Sequence, residues 1–191
     1  MKSKSKVLII AGSDSSGGAG IQADVKTVTA LGSYAMTAVT AVTSQNTKGV
    51  KEIVSIPIKN LKTQLTMVLD DIGTNAVKIG MLHNIGVIKC VQKILKEYKL
   101  KNVVLDPVMI AKGGSRLVNK SSIKYLKKLL LPLCSVVTPN IPEAEVLTGY
   151  SILNKEDMIK AAKKIIHMGA KNVLLKGGHL KNKMIFDILV S

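Results

Sequence analysis

Residues 7–24 read VLIIAGSDSSGGAGIQAD. The first five are aliphatic without interruption, the pattern of a strand buried on both faces. A glycine- and serine-rich turn follows, Gly12-Ser13-Asp14-Ser15-Ser16-Gly17-Gly18-Ala19-Gly20. Beyond it Ile21, Asp24, Val25 and Val28 recur at helical spacing on one face. Strand, glycine turn and amphipathic helix make the first βα unit, and the alternation continues outward from it. Short aliphatic runs at 38–43, 76–79, 103–105, 136–138 and 173–175 read as further strands. Between them lie helical stripes such as Ile58, Leu61, Leu65, Val68 and Ile72. Another stripe is Met158, Ala162, Ile165 and Gly169, with Asn154 as N-cap and Asp157 three residues on. The expected architecture is a single α/β domain over 1–191, a mostly parallel sheet with helices on both faces.

Two stretches break the alternation. Residues 48–57, with Val50, Ile53, Val54 and Ile56, read as a strand leaving the main sheet, a lid or an oligomer contact. Residues 112–117 contain Gly113-Gly114-Ser115 and read as a loop between strand and helix.

Composition narrows the function classes. With 47% hydrophobic residues in 191, there is ample apolar surface to offset the entropy of ordering. The net charge of +16 invites anions, but of 28 basic residues only Arg116 is arginine, and aromatics are 3%. Nucleic-acid readers use arginine for bidentate contacts and aromatics for stacking, so nucleic acid is not expected as a partner. The lysines scatter over every amphipathic segment, as solvated faces do. Cys90 and Cys134 fit no metal or redox spacing, which suits a reduced, cytoplasmic chain. The N-terminal lysines before residues 7–11 imitate a signal peptide, but the apolar run is too short for one, and no membrane span is expected.

In open parallel sheets ligands sit beyond the carboxyl ends of the strands. The turn at 12–20 is not a P-loop, since Gly18 stands where lysine is required, and no GxG opens it. It is either a plain tight turn or a binding loop that offers free N–H groups at a helix start. Asp24 falls on the helix stripe that should be buried, and so needs a partner, either a ligand donor or the positive start of its own helix. Thr43-Ser44-Gln45-Asn46-Thr47 ends the second strand with a side-chain amide that can both donate and accept. Asp106-Pro107 and Thr138-Pro139-Asn140-Ile141-Pro142-Glu143 end two others with two acids and an amide. These are either turn-formers or oxygen ligands suited to hydrated magnesium. Lys176-Gly177-Gly178-His179 places an ammonium beside an N–H-rich loop at the same edge, where a phosphate is the natural partner.

Taken together, AGSDSSGGAGIQAD (11–24), TAVTSQNTKGV (40–50), KIGML (78–82), LDPVM (105–109), TPNIPEAEVLTG (138–149) and LLKGGH (174–179) resemble, in order, the hydroxymethylpyrimidine and phosphomethylpyrimidine kinases of thiamin synthesis. These belong to the ribokinase-like superfamily. The resemblance implies a three-layer α/β sandwich and ATP-dependent phosphorylation of 4-amino-5-hydroxymethyl-2-methylpyrimidine, then of its monophosphate, by a cytoplasmic homodimer. By position, Gln45 would bond the aminopyrimidine, and Gly12, Asp24, Met81 and Val108 would line its pocket. Lys176, Asn140 and Glu143 would hold ATP. Asp106 and Glu143 would organise Mg2+ through water, with Lys176 and Asp106 closest to the chemistry. Members of this family continue into a glycine-rich anion hole of GTGC type with the proposed catalytic base. No such stretch occurs in 1–191, so a C-terminally truncated chain is the expectation. Two alternatives remain open from the residues alone: a pyrimidine-binding protein without kinase activity, and a pyridoxal or sugar kinase.

Overall fold

A computed structural model describes residues 5–109, 118, 120–180 and 184–191; the loop expected at 112–117 and Arg116 lie outside them. In chain order the elements are β1 (Lys6–Asp14), α1 (Gly20–Ala30), β2 (Tyr34–Asn46), β3 (Gly49–Ser55), α2 (Ile58–Asp71), β4 (Ala76–Ile79), α3 (Ile85–Glu97) and β5 (Val103–Leu105). Then come α4 (Lys120–Leu129), a short 3-10 turn (Leu131–Leu133), β6 (Val136–Val137), α5 (Ile141–Thr148), α6 (Lys155–His167), β7 (Val173–Leu175) and β8 (Ile188–Val190).

The strands form one sheet in the order β3-β2-β1-β4-β5-β6-β7-β8. The six inner strands run parallel, and β3 and β8 close the edges antiparallel. Residues 48–57 therefore stay in the sheet: β3 pairs with β2 from Ala41 opposite Ser55 to Asn46 opposite Gly49. The expectation of a strand leaving the sheet is corrected by this hairpin, whose two-residue link Thr47-Lys48 is too short to carry a strand elsewhere.

Register and burial explain the layers. Leu8, Val77 and Val103 sit side by side, as do Ile10, Ile79, Leu105, Val137 and Val173, and all are buried on the same sheet face. They share one core with Leu61, Leu65 and Leu69 of α2, five residues of α3, Leu126 of α4, Leu147 of α5 and Ile165 of α6. Each such side chain is worth about 1.5–3 kcal/mol removed from water, so this face carries most of the fold's cohesion. The opposite face is covered differently. It presents Ile9, Lys78, Val104 and Val136 in register, and α1, which packs there, buries none of its residues completely. Asn154 caps α6 by accepting the Asp157 N–H at 2.9 Å, as its sequence predicts.

Candidate active site

The connection from β1 runs through α1 to β2 on one side, and the chain then returns through α2 to β4 on the other. The ends of β1 and β4 thus part at a topological switch point, where such sheets open a crevice.

At the end of β1 the glycine turn is closed by its own acid. Asp14, 3% exposed, accepts hydrogen bonds from the backbone N–H groups of Ser16 (2.8 Å), Gly18 (3.1 Å) and Ala19 (2.8 Å) and from the Ser16 hydroxyl. Its own N–H donates to Gln22 Oε1 at 2.8 Å. Burial works to raise the Asp14 carboxyl, but these bonds together outweigh it and hold the group below its ordinary value. Of the two readings left open for this turn, the self-closed one describes these three N–H groups, which the Asp14 carboxylate already takes. Gly20 has φ +57 and a Cβ there would overlap the Gly12 carbonyl, so only glycine lets the turn fold back on the strand.

Gly12, Met81 and Val108 come together. A Cβ on Gly12 would stand 2.5 Å from Met81 Cε, and Met81 packs with Ala41, Val50, Ile53 and Val108 in a small apolar cluster separate from the main core. The Thr40 hydroxyl fixes the Met81 carbonyl at 2.7 Å. Gln45 lines a groove of about 800 Å³ with Ser15, Thr43, Asn46 and Val50, and Val50 belongs to both groove and cluster. The Gln45 main chain is tied to the glycine turn, since its N–H donates to Ser15 Oγ at 2.9 Å and its carbonyl accepts from that hydroxyl at 2.8 Å. Its side-chain carbonyl lies 3.3 Å from the Thr43 hydroxyl, whose hydrogen goes to the nearer Ser13 carbonyl at 2.9 Å, so the Gln45 amide keeps both donor and acceptor capacity. Asp24 meets Lys78 of β4, Nζ to Oδ2 2.7 Å.

Beginning on the next strand of the same carboxyl edge, a charged cluster spans the ends of β5, β6 and β7. Lys176 Nζ lies 2.9 Å from Asp106 Oδ1, which also accepts from Thr138 Oγ1 at 3.3 Å. Asn140 bridges backbone to Lys176 and starts α5 with a reciprocal capping box: its side chain accepts from the Glu143 N–H, and Glu143 Oε2 accepts from the Asn140 N–H, each at 2.9 Å. Glu143 is 4% exposed. Burial pushes its carboxyl up to about 7, and the charge of Asp106 adds to this against the Asn140 N–H, Lys176 and the backbone of Met109. A buried carboxyl raised in this way beside an ion pair is a candidate functional group. Gly177 N–H is taken by Asp187 Oδ1 at 3.0 Å, so the loop after Lys176 is less open in N–H donors than its glycines suggested. His179 is exposed there.

Magnesium suits this donor set. It keeps several waters and borrows one or two carboxylates, and Asp106 and Glu143 are close enough to feel each other's charge while both bonds to Asp106 fall on one oxygen. Among the described residues, no group of three or more His, Cys, Asp or Glu forms an all-protein cage. A second groove of about 840 Å³, along Tyr150, Lys160, Lys164 and His167 of the α5–α6 side, shares none of these residues. Cys134 is buried and its thiol pushed up to about 12, so it is no nucleophile. No helix among the described residues is long and apolar enough to cross a membrane.

Residues 14–191 match the family model for phosphomethylpyrimidine kinase. The chain belongs to the phosphomethylpyrimidine kinase family. A Haemophilus influenzae hydroxymethylpyrimidine/phosphomethylpyrimidine kinase is 50% identical over 182 residues, 95% of this chain and 68% of the relative. A thiamine biosynthesis bifunctional protein of Geobacter sulfurreducens is 50% identical over 97% of this chain, which spans 38% of its length. The crystal structure of a phosphomethylpyrimidine kinase from Clostridium difficile superposes with a TM-score of 0.91 at 48% identity, covering 98% of this chain and 81% of that one. A Bacillus subtilis pyridoxine kinase is 43% identical over 96% of this chain and 69% of its own. The sheet order and helix layers described above are thus those of a phosphotransferase family for which ATP is the phosphoryl donor.

Sequence reasoning missed three residues of this edge. Lys78 was signalled only as a charge inside an apolar strand, and Asp14 only as an acid two residues before a serine. Asp187 carried no local signal.

Proposed function

We propose that the protein carrying this chain phosphorylates 4-amino-5-hydroxymethyl-2-methylpyrimidine and then its monophosphate with ATP. The observation that carries the reading is the pairing of two unlike regions on one sheet edge. One is an apolar wall with a free side-chain amide at Gly12, Gln45, Met81 and Val108; the other is the Asp106–Lys176 pair with buried Glu143. The first suits a flat heteroaromatic ring, the second a polyphosphate. In this reading the Gln45 amide reads the aminopyrimidine edge, donating and accepting at once. Met81 and Val108 exclude water from the ring, and Asp24 stands behind the pocket on α1. Lys176 takes a phosphate oxygen, and Asn140 and Glu143 fix the strand end that carries it. Mg2+, held through water by Asp106 and Glu143, would neutralise phosphate charge. Phosphoryl transfer needs positioning and charge stabilisation more than covalent help, which is what these side chains supply.

The identity to a pyridoxine kinase favours one competing substrate of the same kind, a heteroaromatic primary alcohol. Comparing ATP-dependent turnover of the hydroxymethylpyrimidine and of pyridoxal by this chain and by a full-length relative decides between them; pyridoxal turned over as well or better sinks the substrate assignment. Gln45→Ala should weaken pyrimidine binding in calorimetry, and an unchanged dissociation constant removes Gln45 from the pocket. A cytoplasmic homodimer completes the proposal. Val42 and Val54, 46% and 54% exposed on the β2–β3 edge hairpin, suit a subunit contact, and sedimentation equilibrium tests it.

A further inference from the structure

Helix α1 poses a problem of anchorage. It carries the glycine turn at its start, yet it buries no side chain completely, whereas α3 buries Val87, Ile88, Val91, Ile94 and Leu95. Helices owe their fixed position mainly to a packed apolar face, and within this chain, which spans about two thirds of the length of its kinase relatives, that of α1 is only partly buried. It is joined to β4 by Asp24, whose Oδ2 lies 2.7 Å from Lys78 Nζ, with the two side chains 20% and 25% exposed.

Lys78 occupies the strand next to β1 at the switch point, in register with Ile9. Its side chain runs toward the carboxyl edge, since the ammonium lies 3.2 Å from where a Cβ on Gly80 would stand, and that Cβ would also meet Ala11 at 3.0 Å. Two residues beyond Lys78 the chain reaches Gly80, followed by Met81, which faces Gly12. The ion pair therefore ties together the helix that begins at the glycine turn and the strand end that supplies the pocket's methionine. A half-buried pair of this kind contributes little net stability but resists separation, because removing one partner strands the other's charge. It fixes register more than it adds cohesion.

We propose that Lys78 and Asp24 are positioning residues: their ion pair sets α1, and with it the glycine turn at 14–20, against the end of β4 that carries Gly80 and Met81. The pocket role rests on the pyrimidine reading above; the positioning of the turn does not. The test uses the intact chain with Lys78→Met, Lys78→Arg and the double variant Lys78→Met/Asp24→Asn, which leaves no unpaired charge and keeps the comparison open if Lys78→Met folds poorly. Amide hydrogen exchange is read at Ser16, Gly18 and Ala19, with Val91 of α3 as reference. Loss of the pair should speed exchange in the turn about tenfold while Val91 is unmoved, and arginine should restore most of the protection. Calorimetry with 4-amino-5-hydroxymethyl-2-methylpyrimidine should show an affinity loss of about tenfold that follows the turn, because small misplacements of a site's supporting elements are costly. Exchange that rises equally in α3 and the turn, or does not rise at all, overturns the positioning role whatever the substrate. Wild-type protein that fails to bind the pyrimidine while the turn responds as stated sinks the functional reading and leaves the positioning intact.

Discussion

Asp14→Ala tests whether the glycine turn is built by its carboxylate. The native group takes three backbone N–H bonds and one hydroxyl bond at 2.8–3.1 Å while itself 3% exposed. Hydrogen bonds to a charged group are worth about 1.5–3 kcal/mol each, but Ser16, Gly18 and Ala19 are exposed, so their freed N–H groups regain water and the value drops to about 1 kcal/mol apiece. The expected loss is about 3 kcal/mol, read as a lower urea midpoint at unchanged m-value. Asn at this position keeps one acceptor and turns its amide donor toward either the Ser16 N–H or the Gly18 and Ala19 N–H pair, so Asp14→Asn should recover only part of the loss. The dependence on pH has a definite sign. Because the carboxyl is held below its ordinary 3.8, its contribution is complete above that value and is lost as pH falls through the lower native one. The difference between wild type and Asp14→Ala should be flat from neutral pH down to the ordinary carboxylate range and shrink below it. A loss under about 0.5 kcal/mol, the scale of a surface change, or a difference that persists unchanged in strong acid, would refute the account of the turn.

Glu143, raised from 4.5 to about 7, binds its proton in the native state where the unfolded chain has released it, so stability should fall as pH rises between those values, by up to roughly 3 kcal/mol. Glu143→Gln should flatten that slope in urea titrations; parallel slopes would mean the carboxyl is ordinary. Carboxyl NMR should find the Glu143 titration lower in Asp106→Asn and higher in Lys176→Met, since the first removes a repelling charge and the second an attracting one. Gly20→Ala should cost about 2 kcal/mol or more, adding overlap with Gly12 to left-handed strain, whereas Gly32→Ala, with open space around it, should cost about 1 kcal/mol; equal midpoints would discount the overlap. Lys176→Ala should weaken ATP binding by equilibrium dialysis more than it weakens pyrimidine binding, and the reverse order would move Lys176 out of the phosphate site.

The sequence spelled out the strands where burial on both faces left no choice of pattern: Ala76–Ile79, Val103–Leu105 and Val173–Leu175 fall where the aliphatic runs are. It could not say which helices cover which face, because a strand apolar on both sides looks the same from either. That depends on the crossover sense of each connection, which among the described elements sets α1 on the face of Ile9. The partner of Asp24 was illegible for a similar reason. Helical spacing flagged a carboxylate on the inward stripe, but Lys78 reaches it only once β4 lies beside β1. The turn at 12–20 announced its backbone freedom through its glycines; it did not announce that Asp14 would fill the N–H groups. Family resemblance assigned Gln45, Asp106, Asn140, Glu143 and Lys176 to one edge, and parallel strand order is the physical reason they share it.

The charges at that edge are paired with one another. Lys176 pairs with Asp106, whose Oδ1 also accepts from Thr138, and burial and the Asp106 charge raise the Glu143 carboxyl. A phosphate that draws Lys176 toward itself weakens the Asp106 pair, and the released carboxylate becomes a better acceptor for water or a cation. The same displacement removes from Glu143 an attraction that favoured its charged form, so its proton is retained unless a cation replaces the lysine. On the proposed reading, nucleotide and metal would be coupled through one ammonium group: each should bind better with the other present, and Lys176→Met, which abolishes the exchange of partners, should lower that mutual enhancement along with the affinity for ATP itself. Calorimetric titration of ATP with and without Mg2+ in the two proteins measures the enhancement directly, and an undiminished value in Lys176→Met would show that the ammonium is a spectator to the coupling.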